Sequence, residues 1–215
     1  MLVVSATAGY RHAGAIAAGR RMLRALDLGR PDLRMTFTED VAALEPRALA
    51  GTRAVVFLAT SGELPLSPAA RAGLVAFVRR GGGFVGVHSA ADTLYGYPPY
   101  GRMLGAYFRE HPNARGVVSV ARRHQVTAGV PRRLRVDDEI YEFRGDPRAT
   151  GARVLLTVDP DGPAGPLPSA WCRREGSGRV AYTALGHQPE TWASPWFRRH
   201  VADAVAWAAT PGGRC

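Results

Sequence analysis

The sequence predicts an α/β fold, with a mainly parallel sheet covered by helices on both faces. Two patterns carry this expectation. Short continuous apolar runs, within Arg53 to Thr60 and from Gly82 to His88, have the character of strands buried on both sides. They alternate with amphipathic segments across short connections, the β-α-β-α order that gives parallel neighbours in a sheet. At 215 residues and 46% hydrophobic, with no linker-like stretch, the chain is expected to form a single domain over residues 1–215.

Leu2 to Thr7 reads as the first strand, followed by a loop carrying Tyr10, Arg11 and His12. Ala15 to Leu26 has helical spacing of its apolar positions. Leu33 to Thr38 reads as a second strand, Val41 to Leu49 as loop and short helix, and Arg53 to Thr60 as a third, buried strand. Ser67-Pro68 starts a helix over Ala69 to Arg80, which the glycines at 81–83 end before the fourth strand closes at His88. Tyr95 to Pro99 reads as an aromatic and proline loop and Met103 to Arg109 as a short helix. Val117–Ala121 and Glu139–Arg144 are expected as strands, and Asp159 to Pro168 as a Pro/Gly loop. A last buried strand, Arg179 to Leu185, delivers Gly186 and His187 before a C-terminal helix from Pro195 to Ala208.

Composition excludes several chemistries. All 28 basic residues are arginine, so Schiff-base catalysis by a lysine is excluded. The net charge of +10 is spread as Arg doublets along the whole chain without interleaved aromatics, which favours solvated arginine faces over nucleic-acid binding. With only Cys172 and Cys215, neither a disulfide framework nor a thiolate zinc site is expected. No apolar stretch approaches the ~20 residues of a membrane span, and the expectation is a soluble, cytoplasmic protein.

His12, His88 and His187 each follow a predicted parallel strand, at the edge where open α/β sheets place their ligand crevice. Thr60, Ser61 and Glu63 point to the same rim. His88 occupies the sharp strand exit where many α/β enzymes carry a nucleophile. Glu139, in Asp137-Asp138-Glu139, is a candidate general base or metal ligand, and Glu190 lies where it would orient His187. Asp137 and Glu142 read as a solvated acidic edge paired with arginine, and His200 as structural. No thiol stands at position 88 or 89, and a serine hydrolase using Ser89 lacks the usual elbow sequence. Aromatic faces beside polar groups suit sugar rings. The candidate substrate-binding residues are His12, Asp92, Tyr95, Tyr100, Tyr141 and Trp192.

Thr7 to His12, Gly81 to Thr93, Tyr100-Gly101-Arg102 with Gly105 to Phe108 and His111-Pro112, Asp138-Glu139 with Tyr141, Ala170-Trp171-Cys172, and Gly178 to His187 occur in an order that resembles the ThuA-like (trehalose utilisation) family. The resemblance implies a flavodoxin-like, doubly wound sheet related to class I glutamine amidotransferases, and a link to disaccharide or keto-sugar metabolism. It also implies no amidotransferase activity, because histidine stands in place of that superfamily's cysteine. The family's His-Pro pair appears here as His124-Gln125, which weakens any role for His124.

The expected function is an enzyme of hydrolase or lyase type acting on a sugar, glycoside or 3-keto sugar. His88, His187 and Glu139 are the catalytic candidates; a divalent metal, zinc or manganese, would be held by His88 and His187 with His111 or His12 and Glu139, and without a metal His88 and His187 would exchange protons beside a ketone. No nucleotide cofactor, nucleic acid or membrane partner is expected, and a homo-oligomer is left open. The competing expectations are a non-catalytic sugar-binding or interaction module and a biosynthetic tailoring enzyme recruited from this family.

Overall fold

The structure is a computed structural model that describes residues 1–111, 113–161 and 165–215. The first half alternates β1 (Leu2–Val4), α1 (Ala13–Gly29), β2 (Thr36–Thr38), β3 (Ala54–Leu58), α2 (Pro68–Arg79) and β4 (Gly83–Val87). Then come α3 (Pro98–Leu104), β5 (Phe108–Glu110), β6 (Asn113–Val120), β7 (Arg133–Glu139), β8 (Glu142–Phe143), β9 (Arg153–Pro160), β10 (Leu167–Glu175), β11 (Gly178–Thr183), α4 (Pro189–Ala193) and α5 (Pro195–Ala209).

Nine strands form one sheet in the order β2-β1-β3-β4-β11-β10-β9-β6-β7, and β5 pairs with β8 separately. The strands from β2 to β11 are parallel neighbours, whereas the pairs from β11 through β10, β9 and β6 to β7 are antiparallel. Alternation along the central strands divides the core in two. Val55, Phe57 and Phe84 pack on the face covered by α2 and α3, while Val56, Leu58 and Val85 pack on the face covered by α1 and α5. Each such fully buried side chain contributes about 1.5–3 kcal/mol. Gly83 permits the close approach of α5, since a Cβ there would strike the Ala208 carbonyl.

The antiparallel half departs from the sequence reading in several places. The helix expected over Met103–Arg109 is α3, because Pro98 suits a first helical turn and Gly105, at φ +118°, ends it; Phe108–Glu110 is a strand instead. The strand expected over Glu139–Arg144 is two: β7 ends at Glu139, and β8 begins after Ile140-Tyr141. β7 alternates exposed Arg133, Arg135 and Asp137 with half-buried Leu134 and Val136, so no buried apolar run marks it. The loop expected over Asp159–Pro168 is narrower, since β9 reaches Pro160 and β10 starts at Leu167; residues 162–164 lie outside the described residues, as does Pro112 of the His111-Pro112 pair.

Cys172 and Cys215 are joined by a disulfide, contrary to the expectation from cysteine count. After α5 the chain folds back over the sheet, with the Gly213 and Arg214 carbonyls accepting from Arg174 and His124, and this brings Cys215 to Cys172 on β10. Their Cα separation of 5.6 Å lies within bridging range. Among the described residues no helix is long and apolar enough to cross a membrane.

Candidate functional site

Four chain segments leave the sheet toward one rim. The sheet order puts β1 between β2 and β3, a switch point whose strand ends form a natural crevice. His12 follows β1, His88 follows β4, His187 follows β11, and Glu139 ends β7.

His88 sits in a left-handed conformation, φ +54°, uncommon for a side-chain-bearing residue. Its carbonyl accepts the Tyr182 hydroxyl at 2.8 Å, which holds the turn. Its Nδ1 lies 2.8 Å from the Ala184 carbonyl, which can only accept. Nδ1 therefore carries a proton and the ring turns Nε2 inward, 3.1 Å from the Tyr141 hydroxyl and 3.3 Å from Glu139 Oε2.

The other imidazoles close around the same carboxylate. His187 Nδ1 is 2.9 Å from Glu139 Oε1, His111 Nε2 is 3.5 Å from that oxygen, and His12 Nε2 is 3.9 Å from Oε2. His12 Nδ1 meets Ser89 Oγ at 3.2 Å. Burial, and then the neighbouring His88, push the His12 pKa down to about 3, so this imidazole is neutral at ordinary pH. Burial pushes the Glu139 carboxyl up, but the His88, His187 and His111 imidazoles outweigh it and hold the carboxyl below its usual range.

His12, His88, His187 and Glu139 each offer one ligand atom, all within 4.8 Å of one another. Three imidazole nitrogens with one carboxylate oxygen suit zinc and similar divalent ions. Among the described residues Glu139 Oε2 and His187 Nδ1 are buried without a hydrogen-bond partner. Short approaches without hydrogen-bond alignment are what a shared third centre would require. Of the two alternatives for the further imidazole, the quartet holds His12, and His111 stands outside it.

A family model described as ThuA, trehalose utilisation, matches residues 1–208. The chain belongs to the ThuA family. A ThuA-like protein from Bacteroides uniformis is similar over 99% of this chain and 92% of its own, at 22% identity and TM-score 0.80. One from Parabacteroides merdae is similar over 100% and 92%, at 17% identity and TM-score 0.79. A β-galactosidase from Rahnella sp. R3 shares the fold across 94% of this chain but 30% of its own, at 17% identity and TM-score 0.61. No curated protein matches.

The remaining candidates of this ThuA chain are dispersed. Asp92 is half-buried at the rim, where burial raises its pKa, and it accepts the Tyr95 hydroxyl at 2.8 Å. Tyr141 contacts His88 and also lines a neighbouring cavity of about 240 Å³ with Arg109, Phe143 and Pro147. Tyr100 and Trp192 do not face the crevice. Tyr100 is fully buried with its hydroxyl on the Ala90 carbonyl, and buried Trp192 donates to the Gly186 carbonyl at 2.9 Å. They brace the His88 and His187 turns from behind.

Other sequence expectations resolve individually. Glu190 is exposed, and the carboxylates at His187 are Glu139 at its ring and Asp138 at its backbone N–H. Thr60 pairs with Thr93, Ser61 donates to the Tyr10 carbonyl and Glu63 accepts the Gly96 N–H, so all three tie rim loops together. Ser89 is buried, with its Oγ against His12 Nδ1. Asp137 pairs with Arg115 and Glu142 with Arg109 on the surface. His200 is buried and bonded to the Val126 carbonyl, and His124 starts a short 3-10 turn. The sequence reading missed Asp138 as an organiser; its adjacency to Glu139 was the available signal.

Proposed function

We propose that this chain is an enzyme that acts on a sugar, glycoside or 3-keto sugar by histidine acid/base chemistry at a metal-competent centre, without amidotransferase activity. The observation that carries this reading is the convergence of three imidazoles on buried Glu139, with Glu139 Oε2 and His187 Nδ1 lacking hydrogen-bond partners among the described residues. Membership of a trehalose-utilisation family supports sugar as the substrate class.

His12, His88, His187 and Glu139 would hold the metal. When bound, a zinc or manganese ion supplies Lewis-acid polarisation of a carbonyl or hydroxyl oxygen. The protein residues do the rest. Ala184 and Ser89 orient the His88 and His12 rings from their far nitrogens. His111, with 30% of its side chain exposed, is the most open imidazole of the cluster and exchanges protons with the substrate. A ketone acidifies the adjacent C–H, so removal of that proton and protonation of the leaving oxygen suffice to eliminate a glycosidic bond. Asp92 and Tyr95 form the polar rim beside it.

The test combines elemental mass spectrometry of purified wild type, His88→Ala and His187→Ala with assays on trehalose, other disaccharides and their 3-keto forms. Near-stoichiometric metal in the wild type, lost together with turnover in both variants, is expected. Turnover unchanged in both variants would refute the site, and sugar binding without turnover in the wild type would refute the enzyme.

A further inference from the structure

Tyr10 is the feature of the rim that neither folding nor the metal-competent quartet explains. Its side chain is 70% exposed, and Leu28 is the other large hydrophobic residue exposed among the described residues. A single exposed ring is ordinary in itself; what sets Tyr10 apart is the rigidity of its loop and its contact with the cluster.

The ring is displayed by a loop that is tied down. Thr7 bridges to Ser61, the Ala8 N–H donates to the Ser61 carbonyl at 2.8 Å, and Ser61 Oγ donates to the Tyr10 carbonyl at 2.6 Å. Gly9 and Gly62 approach so closely that a Cβ at Gly62 would strike the Gly9 backbone. Next door, Arg11 forms a two-pronged pair with Glu39, at 2.8 and 3.2 Å. The Tyr10 ring meets the His12 ring edge-on with centroids 4.7 Å apart, so it stands at the mouth of the cluster.

A rigid aromatic face beside converging polar groups fits a ligand with one apolar face and a hydrogen-bonding rim, which is the character of a pyranose ring. We propose that Tyr10 is the platform on which the substrate's sugar ring stacks. The proposal rests on the sugar-directed reading above and makes Tyr10 a binding residue whose ring, not its hydroxyl, matters.

The experiment measures KM and kcat of Tyr10→Ala, Tyr10→Phe and Tyr10→Trp on the best disaccharide or 3-keto disaccharide of the wild type, with metal content and Tm of each. Tyr10→Ala should raise KM roughly 10-fold with a smaller change in kcat. Tyr10→Phe and Tyr10→Trp should restore KM, with Tm and metal content held throughout. An unchanged KM in Tyr10→Ala, or Tyr10→Phe as impaired as Tyr10→Ala, would overturn the platform while leaving the enzymatic reading intact. A wild type inactive on every sugar tested would overturn both.

Discussion

One oxygen of Asp138 accepts the backbone N–H of His187 at 3.0 Å, tying the end of β7 to the exit of β11. The same carboxylate accepts the N–H groups of Gly186 and Glu139 and the Thr191 hydroxyl, at 3.2, 2.8 and 2.5 Å, and Asp138 is 1% exposed. Glu139 and His187 thus face each other because the residue before Glu139 holds the turn that presents His187. Asp138→Asn would aim an amide NH2 at groups that need an acceptor. It should cost about 2–4 kcal/mol, read in denaturant unfolding, and lower bound metal. Wild-type stability with full metal content would refute this.

Ser89 and His12 give a test between two chemistries. If Ser89 serves by orienting His12 through Nδ1, Ser89→Ala should weaken metal binding about 10-fold or more while excess metal restores turnover. A loss of turnover that excess metal does not relieve, together with labelling of the wild type by a covalent serine probe, would make Ser89 a nucleophile instead.

His200 predicts a pH dependence of stability. It is fully buried, and burial pushes its pKa below the ordinary histidine value despite the bond to the Val126 carbonyl. Below about pH 6.5 the unfolded chain takes up a proton that the folded chain resists. This contribution is complete above that pH and is lost as pH falls toward the lowered folded value. Between about pH 7.5 and 5.5 the Tm of His200→Gln should therefore fall less than that of the wild type. Equal falls would show that another group governs the acid limb.

The Cys172–Cys215 disulfide closes a loop with a sequence separation of 43. The chain-entropy relation gives about 4 kcal/mol for a loop of that length. Cys215→Ser, or reduction of the wild type, should lower Tm accordingly and leave metal content unchanged, since the bridge ties β10 to the tail rather than to the rim. Unchanged Tm on reduction would show that the bond contributes nothing.

Much of the site was legible because strand ends are legible. A buried run such as Phe84 to Val87 followed by histidine places that histidine at a sheet edge whatever the rest of the chain does. The same logic located His12 and His187. Tyr100 and Trp192 misled because aromatics near a site in sequence look alike whether they line it or brace it from behind, and only burial distinguishes them. Glu190 misled for a related reason: sequence proximity to His187 gives no direction to its side chain, which ended in solvent.

The sequence alone determined the parallel half of the sheet and the rim on which three histidines meet, because hydrophobic period and strand-end position are local properties of the chain. The tertiary structure decided which carboxylate they meet. Glu139 arrives from β7, at the far edge of the antiparallel extension, and no local pattern records that the end of this edge strand meets the loop after β11. It also decided the disulfide and that His12 rather than His111 joins the quartet, since both depend on distances between segments remote in sequence. Long-range packing sets those distances, and a residue's immediate neighbours do not.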